Sequence, residues 1–263
     1  MTAAPVVLVS RDGPVARVTL NRPHLHNAFD EALIAGLADA FQALYADDSR
    51  VVVLAGAGKS FSAGADLNWM QRAAGYDEER NRADARALEL MLRTIDDCPK
   101  PVVALVQGAA IGGGVGLVAA CDIAVAGEAA QFATSEVRLG IVPAVIAPFV
   151  VRAIGPREAR RWFLTAERFG ATEARRIGLV HEVVPAAELE ARVAAVVGEL
   201  LKGGPEALAS AKQLVRLVEM MPQGGSIRAE ATVAMIAERR ASAEGKEGIA
   251  AFLEKRKPGW VQG

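Results

Sequence analysis

The sequence predicts an α/β fold: a first part with parallel strand pairing and a last part that is helical. Three observations carry this. Short β-branched runs alternate with helix-period segments through the first half. The runs that follow helices are apolar throughout, as in strands buried on both faces. From about Pro148 onward the patterning turns helical, and the last 60 or so residues read as helix only. The division expected is a core over 1–200 and a helical region over 201–263.

The elements follow in order. "VVLVSRDGPVARVTL" is two β-rich runs around Asp12-Gly13, a hairpin signal. Phe29, Leu33, Leu37, Phe41 and Leu44 recur at helical spacing, which predicts an amphipathic helix. "RVVVLAG" is a buried strand. A polar helix spans about Asp77 to Ile95 and is closed by Pro99 and Pro101. "PVVALVQG", "CDIAVAG" and "AQFATSE" are further strands. "IGPREARRWFLT" starts a helix with its proline near the first turn. "TEARRIGLV" starts at Thr172 as N-cap and stops at Gly178. "PAAELEARVAAVVGELL" and "GPEALASAKQLVRLVEMM" are long amphipathic helices, and "EGKEGIAAFLEKRKPGW" ends the chain. The stretch around 70–82 reads as a loop that could close over a ligand.

Composition narrows the function. The 263 residues are 52% hydrophobic and 23% charged, with a formal net charge of −1. That balance offers no basic footprint for nucleic acid. The two cysteines, Cys98 and Cys121, make no C-x-x-C pair and no disulfide framework. Three histidines without H-E-x-x-H argue against a histidine metal site. The start "MTAAPVVLVSRDG" lacks a basic segment followed by a long apolar run, and apolar stretches elsewhere are too short to span a bilayer. A cytoplasmic protein with no membrane partner is expected.

Two nucleotide motifs are only partly present. Gly58-Lys59-Ser60 follows a strand, but a P-loop needs glycine at position 53, where Val53 stands. Gly114, Gly116 and Ala119 satisfy G-x-G-x-x-A, with Glu136 twenty residues past Gly116. Between Gly113 and Cys121, however, only about two helical turns fit, whereas a βαβ crossover needs about a dozen residues.

The glycines in "IGGGVGLVAACD" can do something simpler. A helix N-terminus offers unpaired N–H groups, and glycine lets a ligand come close to them. The same glycines could instead serve tight helix–strand packing. "FSAGADL" is a second small-residue corner after a strand. It either exposes another backbone N–H or is a plain turn into a helix with Asp66 as N-cap. Two such donors aimed at one point make an oxyanion hole.

"FSAGADL", "KPVVALVQGAAIGGGVGLVAACD", "AQFATSEVRLGIVPA", "LTAERFGATEARRIGLV" and "GIAAFLEKRKPGW", in that order, resemble the enoyl-CoA hydratase/isomerase (crotonase) superfamily. The likeness runs from "VTLNRPHLHNAF" to Trp260. It implies a crotonase-like spiral of ββα units with a helical C-terminal trimerisation region, the trimers often paired into hexamers. It implies an acyl-CoA thioester as partner and no separate cofactor, coenzyme A being part of the substrate. The oxyanion donors would be the N–H groups of Ala65 and Gly113. Ala63 would meet the adenine, with Asp66 and Leu67 beside it at the binding site. The turn Pro23–Leu25, with His24 and Leu25, would follow the pantetheine. Phe252 and Lys255 would reach the coenzyme A of a neighbouring subunit.

Two-carboxylate hydratases of that superfamily carry one glutamate in GGGxE and another twenty residues later. Here the first position is Gly116 and the second is Glu136. Glu136 is the expected catalytic acid–base, although a glutamate two residues from Arg138 could simply be ion-paired. "GGGVGLV", "SEVRLGIVPAVIAPFVVRAIG" and "LTAERF" resemble the methylglutaconyl-CoA hydratase branch, whose bacterial members serve leucine or acyclic-terpene breakdown. A hydratase acting on a branched 2-enoyl-CoA is expected. The alternatives are a double-bond isomerase, in which one glutamate shuttles the proton, and an acyl-CoA-binding protein without turnover. Gly116 is expected to enlarge the site. Leu67, Trp69, Met70, Leu139 and Val142 line the acyl pocket or else pack in the core or between subunits.

Overall fold

The computed structural model describes residues 4–221 and 225–261. Strands β1 (Val7–Asp12) and β2 (Val15–Leu20) form the expected antiparallel hairpin. Helix α1 (Glu31–Leu44) follows, capped by Asp30, whose side chain accepts from the Leu33 N–H at 2.8 Å. Leu33, Leu37, Phe41 and Leu44 on this helix are fully buried. Phe29 lies before the helix, not on it, and bridges to Ala65.

From there the chain winds in repeated turns. In the first, β3 (Val51–Gly56) leads to an extended stretch at 60–66 and then to α2 (Leu67–Ala73) and α3 (Glu78–Asp96). The second runs β4 (Val102–Val106), β5 (Ala109–Ile111) and α4 (Gly113–Ala120). The third runs β6 (Ile123–Gly127), β7 (Gln131–Ala133), a 3-10 turn at Glu136–Leu139 and α5 (Ala147–Thr165). Then come β8 (Phe169–Gly170), α6 (Ala171–Arg176), β9 (Glu182–Val184) and α7 (Leu189–Leu200). The first strand of each turn joins a six-stranded sheet, β1-β2-β3-β4-β6-β9, parallel from β2 onward. The second strand joins a smaller layer, β5-β7-β8, to which Ser62 is bridged through Ala110. This is the spiral of ββα units that the family resemblance implies, within the α/β class that the sequence pattern predicts.

The pleat of the large sheet separates two cores. Val52, Leu54 and Ala104 face α1, α3, α4 and α5, whereas Val51, Val53, Val103 and Val125 pack on Leu189, Val193 and Val197 of α7. Helices α8 (Pro205–Met220), α9 (Ser226–Ala241) and α10 (Ala243–Leu253) differ. Among the described residues, Ala251 is their only buried hydrophobic side chain. Arg50 ties them to the spiral by donating to Trp260 O at 2.7 Å and Gly203 O at 2.5 Å.

Three local expectations change. Thr172 sits inside the first turn of α6, and Gly170 is the N-cap. The helix expected at Ile154 is the second half of a longer element, broken at Gly155 (φ 75°) just before Pro156. Residues 70–82 are mostly helical, because α2 ends at Ala73 and α3 starts at Glu78. No described helix is long and apolar enough to cross a membrane.

Candidate active site

The stretch 60–66 is held from both sides by backbone hydrogen bonds. Towards β5, Ser62 N donates to Ala109 O and Ile111 N donates to Ser62 O, both at 2.9 Å. On the other side, Ala63 N donates to His26 O at 2.9 Å and Phe29 N donates to Gly64 O at 2.7 Å. Asp66 N then donates to Phe29 O at 2.8 Å. In a parallel bridge one residue bonds to both neighbours of its partner, so the partner's own N–H and C=O face away. Phe29 takes Gly64 and Asp66, which leaves the Ala65 N–H turned out of the ladder. Among the described residues it meets no protein acceptor.

Gly113 supplies the second free donor. Gly112 stands at φ 52°, ψ −116°, a backbone conformation suited to glycine, and offers no side-chain cap. Helix α4 therefore opens with unsatisfied N–H groups, and the Gly113 N–H has no protein acceptor among the described residues. Gly113 is glycine for space: a Cβ there would stand 2.8 Å from Phe29 Cε2. Phe29, Ala65 and Gly113 all line one cavity of about 590 Å³.

Glu136 lines the same cavity from the 3-10 turn after β7. Its carboxylate lies over Gly112, with Oε1 only 3.1 Å from where a Cβ on that residue would stand. Oε2 is buried and has no hydrogen-bond partner. Burial pushes this carboxyl above its ordinary value, against a lowering backbone hydrogen bond. Arg138 makes no ion pair with it among the described residues.

Most of the residues expected at the site meet here. Ala63, Ala65, Leu67, Gly113, Glu136 and Leu139 line the cavity, with Trp69, Met70 and Val142. Asp66 does not. It is the N-cap of α2, accepting from Asn68 N at 2.8 Å and Trp69 N at 3.3 Å, and it pairs with Arg22 at 3.1 Å. Burial works to raise this carboxyl, but those donors and the Arg22 charge hold it below its ordinary value. Asp66 thus serves the backbone around Ala65 rather than the cavity.

Gly116 is a second correction. It opens no extra room, because Ile146 fills the place: a Cβ on Gly116 would overlap Ile146 Cγ2 and stand 3.0 Å from its Cβ. His24 and Leu25 lie in the turn that leads to His26, whose carbonyl holds Ala63, but neither lines the cavity. Phe252 and Lys255 are exposed at the end of α10, away from this cavity.

One wall was missed in the sequence. Asn81, Asp84, Ala85 and Leu88 of α3 line the cavity. Their spacing is that of one helical face, a signal hidden inside a stretch that looks simply polar. Trp69 Nε1 donates to Asp84 Oδ2 at 3.2 Å, joining α2 to α3 across this wall. Ile141, Val145 and Ile146, from the segment before α5, complete the enclosure.

The sequence profile of the enoyl-CoA hydratase/isomerase family matches residues 10–263. The chain belongs to that family. A solved enoyl-CoA hydratase from Shewanella pealeana superposes with a TM-score of 0.93 at 41% identity, covering 97% of this chain and 96% of that one. The 2,3-dehydroadipyl-CoA hydratase of Escherichia coli is 34% identical over 258 residues, 96% of this chain and 97% of that protein. The crotonyl-CoA hydratase of Syntrophomonas wolfei is 33% identical over 260 residues, 97% of each. The spiral and its helical C-terminal region are therefore the crotonase fold.

Proposed function

We propose that the chain is an enoyl-CoA hydratase, adding water across the 2,3 double bond of a branched 2-enoyl-CoA. The observation that carries this is the convergence of two outward N–H donors, Ala65 and Gly113, with one desolvated, unpaired carboxylate, Glu136, on a single cavity. The thioester oxygen accepts from both donors, which favour it most when it carries enolate charge. Glu136 takes a proton from water as the water oxygen bonds to carbon 3, and it returns a proton to carbon 2. Its raised pKa suits a group that must both take and give a proton. No cofactor enters the scheme, since coenzyme A arrives with the substrate.

Of the three relatives above, the two named for a substrate are named for a charged acyl group, 2,3-dehydroadipyl, and an uncharged one, crotonyl, so similarity does not choose between them. Methylglutaconyl-CoA, suggested by the resemblance, is branched but also carries a terminal carboxylate. The apolar walls from Leu67, Met70, Leu88 and Val142 support the branched part of that suggestion. The rest of the binding site belongs to the same proposal: Ala63 at the adenine, His24 and Leu25 along the pantetheine, and Phe252 and Lys255 reaching a neighbouring protomer's ligand in a trimer or a dimer of trimers. Exposed Ile227, Val233 and Ile236 on α9 and Phe252 and Leu253 on α10 support such an assembly.

One observation favours a second reading. Ile146 occupies the place of the GGGxE glutamate, so Glu136 has no second carboxylate beside it on α4, as a 3-enoyl to 2-enoyl isomerase would require. An absorbance assay on the conjugated thioester separates the readings. Loss of absorbance with a branched 2-enoyl-CoA means hydration. Gain from a 3-enoyl-CoA means isomerisation. Binding without either would leave an acyl-CoA-binding protein and overturn both.

A further inference from the structure

Two carboxylates line the cavity, and the cation paired with one of them among the described residues stands outside the lining. Among its lining residues Glu136 and Asp84 are acidic, and none is lysine, arginine or histidine. Asp84 lines it from α3. The row Asn81, Asp84, Leu88 and Leu92 runs along α3, and Leu92 Cδ1 lies 3.5 Å from where a Cβ on Gly116 would stand, one helical turn from Gly113. Eight residues separate positions 84 and 92, about 12 Å of helix. Leu92 itself is buried, so an acyl chain running from the oxyanion donors along the lining face of α3 passes Leu88 before it reaches Asp84.

Asp84 is also fixed. The Trp69 indole donates to it at 3.2 Å, and Arg80 Nε stands 3.8 Å from its other oxygen. Its side chain is 17% exposed and that of Arg80 is 58% exposed, so the cation sits on the solvent side and does not line the cavity. The other lining residues of α2 and α3 are Leu67, Trp69, Met70, Ala73, Ala85 and Leu88, with Asn81 as the one uncharged polar side chain among them.

We infer that Asp84 is a specificity determinant that makes the acyl end select an uncharged acyl group and reject one ending in a carboxylate. A terminal carboxylate would enter an apolar pocket already holding a fixed negative charge, with no lining cation to receive it. Like charges at a half-buried site interact far more strongly than in bulk water. This inference rests on the acyl-CoA reading above and narrows it. It excludes methylglutaconyl-CoA as the preferred substrate and keeps the branched, uncharged acyl group.

The test is calorimetric binding of hexanoyl-CoA and adipyl-CoA, which match in chain length and have no double bond to hydrate. Adipyl-CoA should bind about tenfold or more weakly. Asp84→Asn should narrow that ratio by about threefold or more, whereas a purely structural role for Asp84 would weaken both ligands alike. Asp84→Ser gives the same comparison if the first variant folds poorly by circular dichroism. A wild-type ratio near one overturns the inference, as does a ratio unchanged in a folded variant. If the ratio holds while no enoyl-CoA turns over, the hydratase proposal alone fails. If neither thioester binds, both fail.

Discussion

The two ends of the cavity are built from different material. In the proposed reaction the working groups at the thioester end are the backbone N–H groups of Ala65 and Gly113, neither of which meets a protein acceptor among the described residues. At the acyl end they are side chains, from Trp69 and Met70 on α2, Asp84 and Leu88 on α3, and the segment Ile141–Ile146. The first end depends on strand register and on the close approach of Phe29 to Gly113. A side-chain substitution changes it only by breaking that frame; proline alone removes a donor outright. The second can be rewritten one side chain at a time. Under the proposed function, the class of chemistry rests on backbone and the choice of acyl group on side chains, with Glu136 joining the two.

The sharpest way to break this contrast is at the joint. Glu136→Gln keeps the shape of the side chain and removes the proposed proton carrier. Turnover of a 2-enoyl-CoA should fall by about 10²–10⁴-fold while KM changes little. Steady-state kinetics that instead show most of the rate retained would move the proton transfer to another group.

Next in size is the backbone end. Gly113→Pro removes one donor and should cost about 10²–10³-fold in kcat. Both Gly113→Pro and Gly113→Ala bring a Cβ within 2.8 Å of Phe29 Cε2, but only proline lacks the N–H. The rate difference between the two variants, measured on folded protein, isolates the donor from the crowding. Equal rates would mean that Gly113 is glycine for packing alone.

The sequence carried the backbone end far better than the acyl end. Buried strands, the hairpin and the start of α4 are written in local pattern, and the corner "FSAGADL" joins "IGGGVG" through one short ladder, Ser62 on Ala110. Asp66 was ambiguous because an N-cap and a ligand contact call for the same residue type, and only its bonds to Asn68, Trp69 and Arg22 decide. Two facts were out of reach. Asn81 and Asp84 look like ordinary solvated helix residues; Asn81 stays exposed while lining the cavity, and Asp84 is part-buried and bonded to Trp69 of α2. Gly116 looked like added space because Ile146, thirty residues later, is invisible as its neighbour.

That lesson is itself testable. Gly116→Ala should destabilise the protein by about 1–3 kcal/mol, as overpacking does in a filled core. Pairing it with Ile146→Ala should recover part of the loss, so that the double variant is more stable than the sum of the single effects predicts. Thermal or urea unfolding reads this directly. Additive losses would mean the two residues do not share one space.

The smallest effect separates function from stability at Glu136. Burial raises this carboxyl above its ordinary value of 4.5, so the folded protein holds the proton more tightly than the unfolded chain does. Ionised Glu136 therefore costs the native state stability. The cost is absent below the unfolded value and sets in as pH rises through the folded one. Glu136→Gln carries no such charge, and Oε2 has no partner to lose. The inactive variant should melt a few degrees above wild type at neutral pH, and the gap should close as the pH falls below about 4.5. A variant that melts lower at neutral pH, or a gap that does not depend on pH, would mean that Glu136 is held by contacts that reward its charge. The trade of stability for a poised carboxylate would then be absent from this site.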